Sequence, residues 1–208
     1  MRLRRTEQGF TLVELLITMT LMGVVTVGLA DLVVNALHQM SATSDRLDMA
    51  QDAQLGATYF ARDVAAVGLR DYGAVAVDGS LPFKPSVQLD AVDSAGGAVC
   101  GPVPVAAVRL LSDYWDTSVS PAVRRTAVVA YYVNGAGELH RARCLGPSTT
   151  PSSDLRLASN VKPGSLTVSC SSTCDSGVLP EGIALRLLMS RPSTGDYEVA
   201  LSGLRRQS

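Results

Sequence analysis

From Phe10 to Ala30 the chain runs through 21 residues in which Glu14 is the only ionisable side chain. At about 1.5 Å per helical residue, such a run reaches across a bilayer core of about 30 Å. A lone carboxylate near its head is costly in lipid unless a positive group neutralises it. A cut after Gly9 would create such a group, the α-amine of Phe10. The residues ahead of that bond hold Arg2, Arg4 and Arg5 against Glu7, a bias that keeps them cytoplasmic and sends the following chain outward. An ordinary secretory signal would also have a basic start and an apolar core, and Gly28-Leu29-Ala30 offers small residues for its peptidase. An acid inside such a core is unusual, however, and the apolar helix pattern continues past Ala30. A plain single-span anchor is the other simple reading.

A chain of 208 residues has room for one domain plus a long helix. Three of the 18 basic and one of the 19 acidic residues lie before Phe10, leaving 15 against 18, a net charge of −3. Charge alone therefore gives no argument for a nucleic-acid partner.

The run Gly9-Phe10-Thr11-Leu12-Val13-Glu14-Leu15-Leu16 resembles the processing site of the type IV pilin family, which includes minor pilins and the pseudopilins of type II secretion. Gly and Phe flank the expected cut, and Glu14 becomes the fifth residue of the product. The resemblance implies an α+β pilin fold, with a long N-terminal helix packed on an antiparallel sheet. It divides the chain into a leader over 1–9, a transmembrane or filament-core helix over 10–30, an amphipathic helix over 31–68 and a β-rich head over 69–208.

The residues themselves carry much of this architecture. Leu47, Ala50, Ala53, Ala57, Phe60, Val64 and Val67 recur at intervals of three and four, one stripe on a helix. A nearly continuous helix is expected over 10–67, with Gly68 as its stop. Asp48, Asp52 and Asp63 lie off that stripe and read as a solvated face. Beyond Gly68, strands are expected over 103–111, 127–133, 139–144, 155–161, 166–170, 183–191 and 197–204, where branched and aromatic residues cluster between Gly, Pro, Ser and Asn. Hairpin turns are expected at Asn134-Gly135-Ala136-Gly137 and at Pro192-Ser193-Thr194-Gly195-Asp196, and a loop over 146–154.

Cys100, Cys144, Cys170 and Cys174 form an even set in the part expected to face an oxidising compartment, so disulfides lead over a zinc site, whose paired C-x₂₋₄-C units are incomplete. Four cysteines allow three pairings; the most economical joins Cys170 to Cys174 and Cys100 to Cys144. Catalysis has little support. The histidines are His38, on the polar helix face, and His140, on a strand surface, and no G-x-S-x-G, phosphate-cradling Gly loop or H-E-x-x-H occurs. No cofactor, metal or enzymatic activity is expected. Trp115, among Asp113, Tyr114 and Asp116, reads as a partly buried strand-end aromatic, with an exposed contact anchor as the alternative.

Within the family, Ala61-Arg62-Asp63-Val64-Ala65-Ala66-Val67-Gly68-Leu69 is similar to the helix end of PilW and PulJ-type minor subunits. Val128-Val129-Ala130-Tyr131-Tyr132-Val133 followed by Gly137-Glu138-Leu139-His140-Arg141 resembles their sheet. The resemblance implies an inner-membrane single-pass precursor, cut between Gly9 and Phe10 by prepilin peptidase and N-methylated on Phe10. It then packs with other major and minor pilins through the N-terminal helix, as Glu14 neutralises an N-terminal amine, and its head lies in the periplasm or outside the cell. A minor pilin that initiates or caps type IV pilus assembly is the leading expectation. A J-like minor pseudopilin of type II secretion and a pilus-tip subunit for adhesion or DNA uptake are the alternatives. Retention of Glu14 places the chain just below a tip or within a shaft.

Overall fold

The computed structural model describes residues 11–74, 78–89, 100–101, 106–174, 178–192 and 195–207. One helix, α1 (Leu12–Ala65), opens the described chain, and two compact units divide at Ser44 and Asp45.

In the first unit, the large apolar side chains from Leu12 to Met40 are all exposed. A helix apolar on every side needs an apolar surrounding, which the described residues do not provide. An 18-residue window of α1 has a mean hydropathy of 2.1, long and apolar enough to cross a membrane. The hydroxyls of Thr18, Thr20 and Thr26 donate to the carbonyls of Leu15, Ile17 and Met22 at 2.9, 2.9 and 2.6 Å. These polar atoms are therefore satisfied within the helix, as a lipid environment requires.

In the second unit, the 45–65 stretch of α1 lies on two antiparallel sheets. β3 (Val87–Leu89), β4 (Val108–Asp116), β5 (Val123–Val133), β6 (Leu139–Leu145) and β7 (Ser153–Ala158) pair in chain order. β8 (Thr167–Cys170), β9 (Gly182–Arg191) and β10 (Gly195–Leu204) form a second sheet in the order β10-β9-β8. β1 (Leu69–Arg70) and β2 (Phe83–Lys84) make a two-residue ladder after the helix. Period-two alternation sends Leu110, Val129, Tyr131 and Leu139 into the core shared with Phe60 and Val64. Leu111, Val128, Ala130, Tyr132 and Ala142 point to the opposite face, into a second cluster with the Cys100–Cys144 bridge. β5 is thus buried on both faces, which is why 127–133 reads as an unbroken apolar run. The two sheets meet where Val161 bridges Met189 and the Lys162 N–H donates to the Leu188 carbonyl at 2.8 Å.

Close approach of helix to sheet is set by Gly203 on β10. A Cβ there would lie 2.6 Å from Val64 Cβ and 3.0 Å from Ala61 Cα, so a side chain would push the helix off. Gly68, at φ 147°, takes the chain out of the helix into a backbone region that disfavours side chains.

Several expectations need correction. The buried helix stripe begins at Met49, while Leu47 is 66% exposed and Ala50 is exposed; about 100° per residue puts Leu47 on the far side from Met49. The first long strand is displaced toward the C-terminus, running Val108–Asp116, and residues 103–105 lie outside the described residues. The strand expected over 155–161 stops at Ala158, because Asn160 adopts a positive φ of 56°. β1, β2 and β3 were not foreseen; two or three residues are too few to show periodicity. Of the expected turn at 192–196, residues 193 and 194 lie outside the described residues, and the Gly195 end already belongs to β10.

Candidate functional site

The head of α1 is built on Thr11. Its carbonyl accepts the Glu14 and Leu15 N–H groups at 3.1 and 3.2 Å, and its hydroxyl oxygen accepts the Glu14 N–H at 3.3 Å. Thr11 is therefore an N-cap, and Thr11-Leu12-Val13-Glu14 has the T-x-x-E spacing of a capping box. Glu14, the acidic residue of the first turn, sits where the helix dipole favours a negative charge. Among the described residues no cationic side chain lies within ion-pairing distance of Glu14. The carboxylate thus stands exposed in an apolar helix with no countercharge there. Gly9 and Phe10, the expected cleavage and methylation positions, lie outside the described residues.

The cysteines are joined as Cys100–Cys144 and Cys170–Cys174, and no free cysteine is present. Closing a separation of 44 residues contributes about 4 kcal/mol by the loop-entropy relation, and the separation of 4 about 2 kcal/mol. Among the described residues no group of three or more His, Cys, Asp or Glu side chains is placed to hold a metal.

A second acid of α1 has a very different setting. Asp63, expected on a solvated face, is buried, with 7% of its side chain exposed, opposite Arg141 at 3%. Arg141 donates Nε and Nη2 to the two Asp63 oxygens at 2.5 and 2.7 Å, and the Tyr131 hydroxyl donates to Oδ2 at 2.6 Å. The Tyr131 ring also meets Phe60 edge-on, with centroids 5.2 Å apart. Burial, then the charge and hydrogen bond of Asp63, push the Tyr131 hydroxyl far above its ordinary range, so it remains a donor. Burial pulls the Arg141 guanidinium down, but its hydrogen bonds and attraction to Asp63 outweigh this and raise it. The sequence carried a signal for this cluster. Gly56, Phe60, Asp63 and Val67 are spaced by four, three and four, which places the acid on the buried stripe, and Arg141 shares the inward parity of Leu139 on β6.

The other expected surface residues are also tied to the fold. Asp52 accepts from the Ser159 N–H at 3.1 Å and its hydroxyl at 3.3 Å. Asp45 and Asp48 lie 3.2 and 3.6 Å from Arg191; Asp48 alone of the three expected solvated acids keeps a half-exposed side chain. His140 is not a free surface residue. Its Nδ1 lies 2.9 Å from Asp154 and its Nε2 3.1 Å from the Asn134 amide, and its ring stacks on Tyr132. Burial, then the hydrogen bond and charge of Asp154, raise the Tyr132 hydroxyl. Trp115, expected to be partly buried, is 63% exposed. It lies on β4 directly opposite Arg124 of β5, whose guanidinium covers the Tyr72 ring. The strand extends past the point where the core ends. His38 is exposed on α1, as are the apolar Leu37 and Met40 beside it.

No curated protein and no solved structure matches the chain. Residues 4–30 match the family model described as the prokaryotic N-terminal methylation motif. That segment covers Gly9, Phe10 and the capped Glu14, and extends along the exposed apolar part of α1. The 4–30 segment is therefore a type IV pilin-like prepilin segment; with the apolar helix it fits a single-pass inner-membrane precursor that becomes part of a pilus, and it supports a type IV pilin or pseudopilin.

Proposed function

We infer that this protein is a minor pilin, a structural subunit that helps to initiate or cap type IV pilus assembly. The observation that carries this reading is Glu14, an exposed carboxylate in a helix of exposed apolar side chains, with no countercharge among the described residues. In lipid or in a dry helical bundle such a charge requires a positive partner. Cleavage between Gly9 and Phe10 supplies one as the Phe10 amine, which remains cationic when N-methylated. Residues 1–9 act as the leader, 10–30 as the membrane and filament-core segment, 31–68 as the continuing helix and 69–208 as the head, delivered to the periplasmic or extracellular side. Prepilin peptidase and other major and minor pilins are its partners.

The PilW/PulJ-type assignment rests on the Arg62-Asp63 helix end and on the Tyr131 and Arg141 strands, which the fold joins in one hydrogen-bonded cluster. The apolar helix and the two-sheet head are built as a subunit that packs, and the methylation motif suggests a structural role rather than an enzymatic one.

Intact-mass and N-terminal analysis of the protein from membranes and from sheared filaments tests the reading. The expected product begins at N-methylated Phe10 and is four mass units lighter than its fully reduced form, two for each of the two disulfides. A mature chain that begins at Met1, or beyond Ala30, overturns it.

A further inference from the structure

Where α1 ends, the inward face of the five-stranded sheet continues past it and leaves an open cleft of about 350 Å³. It is lined by exposed Ala66 and the edges of the buried Leu110, Ala127 and Val129, beside Arg62, Arg141, Arg143 and Asp63. Asp63 is neutralised inside the fold by Arg141 and Tyr131. Arg62 and Arg143 are different. Both side chains are exposed, and among the described residues neither has an acidic side chain within ion-pairing distance. The Arg62 guanidinium is held 4.9 Å from the Tyr59 ring centre, against a ring that also receives Arg141. The last helical carbonyls do not cancel this charge, since those of Ala65 and Ala66 already accept the Arg206 N–H and the Gln207 amide. The cleft is therefore positive in a chain whose overall balance is slightly acidic.

We propose that this cleft is a binding site for an acidic peptide segment of a partner protein, a carboxylate bridging Arg62 and Arg143 while an adjoining small apolar residue rests against Ala66. A planar guanidinium fork matches a carboxylate through paired N–H···O bonds. A volume of this size accommodates one or two side chains, at the low end of the range for ligand pockets. Exposed Ala66 beside the arginines favours a peptide over a bare anion, because it offers an apolar contact to the carbon atoms that adjoin the charge. The assignment goes beyond the filament reading and does not need it.

The test uses the full chain in a neutral detergent and a fluorescein-labelled peptide of alternating glutamate and alanine, read by fluorescence anisotropy. Binding is expected to weaken as salt rises from about 0.01 M to about 1 M, over which the Debye length shrinks from about 30 Å to about 3 Å. Arg62→Ala and Arg143→Ala are each expected to weaken binding about tenfold, the loss of one charge-assisted contact, and Arg143→Glu to abolish it. Arg143→Ala should melt at the wild-type temperature, because Arg143 holds no ion pair in the fold, while Arg62→Ala should lower it only slightly through loss of the Tyr59 contact. Arg186→Ala, which removes an exposed pair with Glu198 on the other sheet, should bind as wild type. Equal binding by wild type and the two alanine variants, equal binding of a lysine-for-glutamate peptide, or displacement by inorganic phosphate at the peptide's own concentration overturns the proposal.

Discussion

Two carboxylates of the same helix, Glu14 and Asp63, have opposite surroundings. Asp63 is buried with Arg141 and Tyr131 and is satisfied within its own chain. Glu14 stands exposed among exposed apolar side chains and has no cation beside it among the described residues. The contrast separates what holds the subunit together from what it offers to others. An acid matched inside the fold acts on stability, while the unmatched acid of the apolar helix is the one we propose acts on assembly.

Asp63→Ala gives the largest expected effect. It leaves Arg141 charged and buried without a partner, which costs about 3 to 5 kcal/mol and should appear as a lower urea midpoint for the full chain in detergent. Asp63→Leu combined with Arg141→Met should recover part of that loss, because an apolar pair has no charge to desolvate, while the buried Tyr131 hydroxyl, left without its acceptor, retains the rest. If the single and double variants lose equal stability, the pair is not what matters at this position.

Removal of the Cys100–Cys144 bridge by paired serine substitutions ranks next, at about 4 kcal/mol, against about 2 kcal/mol for Cys170–Cys174. Denaturant titrations of the two variants should keep that order, since the longer loop gains more freedom when opened. Asp52→Ala is expected to cost about 1 kcal/mol, the net worth of a hydrogen bond to a partly exposed backbone group, and to speed amide exchange at Ser159.

Acid gives the smallest effect. The side-chain hydroxyl of Ser118, then its N–H and the Arg125 side chain, hold the Asp116 carboxyl below its ordinary 3.8. Its contribution is present above the unfolded value and is lost as pH falls through the lowered one. A single carboxylate held by these hydrogen bonds at a strand end should leave only a slight decline in melting temperature below pH 3.8, and Asp116→Asn should flatten that decline.

Much of the fold could be read directly from residues. Seven strand positions followed from branched and aromatic runs between turn residues, because half-buried strands need alternation and doubly buried ones need continuous apolar character, as in β5. The membrane-length helix was legible from composition alone. What escaped depended on tertiary partners. Spacing from Phe60 and Val67 puts Asp63 on the buried stripe, but its ion pair is legible only once Arg141, 78 residues on, is placed opposite it. Trp115 looks like a core residue until β4 is seen to outrun the core. The three-and-four spacing puts Leu47 at the head of the inward stripe, whereas Met49 has the angular position that faces the sheets. The capping role of Thr11 is legible in the T-x-x-E spacing, which coincides with the processing motif around Glu14.

Glu14→Gln in the full-length chain tests most directly the claim that Glu14 finds its partner outside its own chain. This substitution keeps the capping-box spacing and the side-chain length, and removes only the charge. The variant should fold with the wild-type melting temperature and yield the same N-methylated Phe10 terminus from membranes, while its recovery in sheared filaments falls by more than about tenfold, as loss of a buried charge pair implies. Wild-type recovery of Glu14→Gln in those filaments would contradict the account.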